Sequence, residues 1–78
     1  MAVVPLSVLK EGDEGTVVAI NCGRGCTERL VAMGIVPGKK IRVSGRRGGA
    51  ILISVNGSKF VIGKGLAMKV DVDVGKES

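Results

Sequence analysis

The stretch Met33-Gly34-Ile35-Val36-Pro37-Gly38 constrains the fold more than any other, because it must stop a helix and start a strand with almost no linker between them. A glycine past the last apolar-periodic helical residue takes the left-handed conformation readily, having no Cβ to clash with the preceding carbonyl. Gly34 fits that position. With Met33 as the last half-helical residue, a Schellman ending predicts that Ile35 packs back on Leu30. Pro37 pushes Val36 into an extended conformation, and Pro37-Gly38 supplies the fixed φ and the positive φ of a type II turn.

Upstream of this block, residues 5–10 read as one turn with Ser7 near its cap, and Glu11-Gly12-Asp13-Glu14-Gly15 as a polar turn. Residues 16–20 form the first expected strand, apolar enough to suggest contact on both faces. A short helix is expected over residues 27–33, with Thr27 as N-cap and Glu28 near the positive end of its dipole. Cys26, Leu30 and Met33, spaced i, i+4, i+7, share one apolar face suited to covering a barrel end.

Downstream, residues 39–44 alternate, placing Ile41 and Val43 inward and Lys40, Arg42 and Ser44 outward. Arg46-Arg47-Gly48-Gly49 reads as a tight basic loop leading to a strand over residues 50–55, whose Ile51, Ile53 and Val55 share a face. Asn56-Gly57 is a strong type I′ hairpin signal, with the return strand over residues 58–62. Residues 63–67 read as a one-turn connector and residues 69–74 as a strictly alternating last strand. A frayed tail over residues 75–78 is expected.

Seventy-eight residues suggest one domain with a compact core. The apolar residues are aliphatic, with one Phe and neither Tyr nor Trp, and thirteen glycines separate short apolar runs. This combination favours pleated strands. The expected class is all-β: a small SH3-like barrel of five strands with one short helix between strands 1 and 2, the OB-type barrel being the rival.

Catalysis finds little support in these residue types. There is no histidine, and Asp71 and Asp73 alternate with inward valines, so they are expected to stay solvated rather than form a tuned carboxylate pair. Gly23-Arg24-Gly25 and Gly63-Lys64-Gly65 resemble phosphate loops only in fragments: Glu28 stands where a dinucleotide fingerprint needs its third glycine, and no Lys-Ser/Thr follows the second. Cys22 and Cys26 are the only soft ligands and the weak candidates for holding Fe2+ or Zn2+. A tetrahedral thiolate site needs four donors, so within one monomer it would have to recruit carboxylates, and the form expected for such a site is one shared across a dimer. With no basic segment preceding an apolar one at the N-terminus, a cytoplasmic chain with two reduced thiols is expected, Cys22 the more exposed.

Between Lys39 and Lys64 stand seven basic residues and no acidic one. A nucleic-acid partner is not expected, because single-strand binders add aromatic platforms and Phe60 reads as core. An acidic protein face or anionic headgroups suit the same charge.

Leu6…Leu9-Lys10…Gly12…Gly15, then Arg29-Leu30…Met33-Gly34-Ile35-Val36-Pro37-Gly38…Ile41…Val43, then Ile51…Ile53…Val55…Gly57 and Leu66-Ala67…Val70…Val72 resemble the FeoA family over nearly the whole chain. The Met-Gly-Ile-x-Pro-Gly block is the most specific part; Cys22 and Cys26 lie outside the pattern. The resemblance implies a non-enzymatic cytosolic accessory of the membrane ferrous iron transporter FeoB, binding and modulating its GTP-binding part and recruited by it to the membrane. On that reading Leu30, Met33, Ile35 and Val36 would meet the partner, with Lys39, Lys40 and Arg42 supplying charge, while Gly34, Pro37, Gly38, Asn56 and Gly57 shape the turns. The alternative implied is a metal-binding regulator domain, like the SH3-like domain of metal-dependent repressors. The absence of histidine ligands and of a DNA-reading helix weighs against it.

Overall fold

The computed structural model describes residues 2–75. Its strands are β1 (Val3–Pro5), β2 (Glu14–Ile20), β3 (Lys40–Arg47), β4 (Ala50–Val55), β5 (Ser58–Gly63) and β6 (Val70–Asp73). A 3₁₀ turn, Leu6–Val8, follows β1; helix α1 (Arg24–Ala32) joins β2 to β3, and the single turn α2 (Lys64–Ala67) joins β5 to β6. All neighbours are antiparallel, in the order β1-β6-β2-β3-β4-β5.

The barrel expectation holds, with a correction in count. Val3–Pro5 forms a sixth strand on β6, paired Val3↔Asp73 and Pro5↔Asp71, so the helix falls between the second and third strands. Three residues ending in a proline give too little periodicity to read as a strand, and the segment becomes one because β6 offers it an edge. Register shifts between Val17 and Ala19 in β2 and between Val43 and Gly45 in β3 bend the sheet around its contents. The first shift turns Val18 outward, where it is 43% exposed, so β2 does not bury both faces as its apolar run suggested.

One aliphatic cluster fills the interior. Val17, Ile41, Val43, Ile51, Ile53, Val55, Ile62, Val70 and Val72 come from the strands, Leu6 and Leu9 from the 3₁₀ segment, Leu30 and Ile35 from the helix corner, and Ala67 from α2. Phe60 packs partly against this cluster, on the face expected for it. Ser7 is buried within the 3₁₀ turn and is not its cap; Pro5 takes that position.

Two turns correspond to their sequence signals, and a third is shorter than read. Asn56 and Gly57 have φ of 53° and 81°, as a type I′ hairpin needs, and Val55 pairs with Ser58. Lys39 N–H donates to the Val36 carbonyl at 3.1 Å with Gly38 at φ 94°, closing the type II turn. Arg46 and Arg47, however, belong to β3, and only Gly48-Gly49 turns, because Arg47 pairs with Ala50. In the expected tail, Gly75 N–H is tied to Asp73 at 2.8 Å, while residues 76–78 lie outside the described residues.

Candidate functional site

Helix α1 starts a turn earlier than Thr27, with Gly23 at its cap. Thr27 lies inside it, its hydroxyl donating to the Cys22 carbonyl at 3.3 Å. Cys22 and Cys26 form a disulfide with Cα atoms 5.8 Å apart, which corrects the expectation of reduced thiols. Neither sulfur then carries the thiolate a metal would bind. Among the described residues no cluster of three or more Cys, Asp or Glu could hold an ion. Spacing left the pairing open; the β2–α1 bend brings the two side chains together.

The helix exit has the Schellman geometry. Gly34 has φ 86°, its N–H donates to the Val31 carbonyl and that of Ile35 to the Leu30 carbonyl, both at 2.9 Å. Leu30 and Ile35 are fully buried. They shape the corner from inside and offer no surface to a partner, which corrects their place among the contact residues. Met33 and Val36 are half-buried, and Lys39, Lys40 and Arg42 are exposed. The corner is stapled to β2: Gly38 N–H donates to the Val17 carbonyl and Val17 N–H to the Lys39 carbonyl, both at 2.8 Å. Its cations therefore stand on fixed backbone.

Sheet pairing alters the electrostatics that the linear sequence suggests. Glu14 lies directly opposite Arg42, and Glu14, Lys40 and Asp73 line one shallow depression. Acids from β2 and β6 thus border the cationic corner. Asp71 and Asp73 are half-buried and do structural work: Asp71 accepts from the Asn21 amide at 2.6 Å, and Asp73 accepts from the Ala2 and Gly75 N–H groups at 3.3 and 2.8 Å.

Arg46 emerges only in the structure. Its guanidinium donates to the Ser7 and Leu9 carbonyls, each at 2.6 Å, clamping the 3₁₀ segment to β3. No sequence signal marks it, since the contact spans 37 to 39 residues.

Six short antiparallel strands around one aliphatic core, with a helix at one corner and small plugs at the ends, define an SH3-like barrel. The chain belongs to the FeoA domain family, whose model matches residues 4–74. A protein of Methanocaldococcus jannaschii called Fe(2+) transport protein A is 46% identical over 69 residues, 88% of this chain and 84% of that protein. The crystal structure of an iron uptake regulatory protein (FeoA) superposes with a TM-score of 0.86 at 48% identity, over 94% of this chain and 97% of that one. A manganese-dependent transcriptional repressor contains the same fold, with a TM-score of 0.83 at 25% identity, but the match spans only 40% of its length.

Proposed function

We propose that this chain serves ferrous iron uptake as a non-catalytic interaction module, binding the cytosolic GTP-binding part of an FeoB-type transporter and modulating it. The observation that carries this reading is the near full-length similarity to Fe(2+) transport protein A of M. jannaschii. The helix-exit corner suits the role: Met33 and Val36 leave apolar surface open, and Lys39, Lys40 and Arg42 surround it with charge on a rigid turn. No helix among the described residues is long and apolar enough to cross a membrane. On the proposed reading the transporter recruits the chain to the membrane.

Crosslinking and co-purification from iron-limited cells test the reading. The wild-type chain is expected to recover the transporter, and Lys39→Glu/Lys40→Glu/Arg42→Glu to lose it while melting like wild type. Recovery of no membrane transporter by the wild-type chain would refute the proposal. A metal-responsive regulatory role, suggested by the repressor match, would instead show as metal-dependent retention of labelled DNA that weakens with salt.

A further inference from the structure

The outer face of β3–β4–β5 has a different character from the corner. Gly45 pairs with Leu52 and Leu52 with Val61; in the next row Arg47 pairs with Ala50 and Ala50 with Gly63. Residues that pair across antiparallel strands share a face, so these side chains form an outward grid. The two glycines and the alanine leave a trough beside Leu52 and Val61, a groove of about 440 Å³ along Gly45, Arg46, Arg47, Ala50, Leu52 and Val61. Val61 is 67% exposed, more than any other large apolar residue described.

The groove runs beside an open strand edge. β5 ends the hydrogen-bonded order and pairs only with β4. The two-residue Asn56-Gly57 turn makes Val55 and Ser58 a hydrogen-bonded pair, so Ile53–Phe60 and Ile51–Ile62 are hydrogen-bonded too. Lys59 and Val61 alternate with these. Their N–H and C=O groups therefore point away from β4 along the free edge.

Charge selects the occupant. Arg47 lines the trough and Lys59 stands two residues from Val61 on the same face of β5; none of the residues paired with them in the sheet is acidic, and neither makes a salt bridge among the described residues. A second copy of the chain would bring the same cations against this face, and a lysine on an edge strand opposes such self-pairing. A nucleic acid would lack aromatic platforms here, since the one Phe, Phe60, lies on the inner face.

We propose that this edge and trough bind an extended acidic segment of a partner protein by strand addition. The segment hydrogen-bonds to the Lys59 and Val61 backbone, lays an apolar side chain over Leu52 and Val61, and directs carboxylates to Arg47 and Lys59. The site shares no residue with the corner assigned to the transporter and stands independently of that reading.

A labelled peptide alternating Val with Asp and Glu, titrated against the full chain by fluorescence anisotropy, tests it. Saturable binding is expected, with slowed amide exchange at Lys59 and Val61. Val61→Pro removes an edge N–H that β4 does not use and should weaken binding by about tenfold or more while leaving melting near wild type. Arg47→Glu/Lys59→Glu should abolish it, whereas Lys39→Glu/Lys40→Glu/Arg42→Glu should leave the edge-amide protection in place. The proposal is overturned if the peptide does not bind, if Val61→Pro binds as wild type, if a single-stranded oligonucleotide protects the same amides and the peptide does not, or if sedimentation shows this edge occupied by a second copy.

Discussion

Gly34 and Gly38 both have positive φ, yet their surroundings differ. A Cβ on Gly34 would lie 2.9 Å from Asn56 Nδ2, whereas one on Gly38 would meet nothing within 4 Å. Gly38→Ala should therefore cost only the backbone term, about 1–2 kcal/mol, and Gly34→Ala only slightly more, because the contacted Asn56 amide is the exposed end of a flexible side chain and can swing aside. Gly34→Val adds a β-branched side chain at a φ it tolerates poorly. Urea denaturation of the three variants checks the ranking, with Gly34→Val lowest; a Gly34→Ala midpoint far below that of Gly38→Ala would show that the Asn56 side chain is held in place against the corner. Arg46 gives a second residue-scale prediction. Arg46→Met removes both charged hydrogen bonds to the Ser7 and Leu9 carbonyls and should lower stability by about 1–3 kcal/mol, read as a lower urea midpoint with an unchanged slope.

At the scale of elements, the helix and the two hairpins carry the local signals most clearly. The end of α1 was legible because its stop is chemical: Gly34 alone provides the left-handed residue, and Leu30 and Ile35 the apolar pair. Its start was not legible, because the Cys22–Cys26 bridge, and not the Thr27 hydroxyl, goes with the first turn at Gly23. The disulfide closes a loop with a sequence separation of only 4, so chain entropy allows it about 2 kcal/mol. Cys22→Ser/Cys26→Ser should fold and lose no more than about that amount by thermal or urea melts. Thiol titration of the unreduced protein should find no free sulfhydryl; two reactive thiols would contradict the bridge. In sequence the Gly48-Gly49 turn reads as a four-residue loop because arginines pattern like loop residues, and only pairing with β4 places them in a strand.

At the scale of the molecule, the sheet determines which charges are neighbours. Along the chain the basic segment looks uniform. Folded, its Lys40 and Arg42 end adjoins Glu14 and Asp73, and its Arg47 and Lys59 side faces an acid-free groove. The corner and the groove thus offer two surfaces of different character, and charge reversal at one should leave binding at the other intact. Of the seven residues expected to meet a partner, Leu30 and Ile35 are interior and Lys39, Lys40 and Arg42 are exposed, with Met33 and Val36 between. An apolar residue at a helix exit reads the same in sequence whether it seals a core or greets a partner; only its packing distinguishes the two.

The sequence by itself determined the strand periodicity, the helix stop at Gly34 and the Pro37-Gly38 and Asn56-Gly57 turns, since each rests on residues within a few positions of one another, and the family resemblance, which is a match of residue types along the chain and needs no knowledge of which segments touch. Only the tertiary structure decided the sixth strand, the Cys22–Cys26 bridge, the Arg46 clamp, the acids beside the corner and the groove along β5. Each of these depends on which segments lie side by side or where the chain bends. That is fixed by burying one aliphatic core inside a curled sheet.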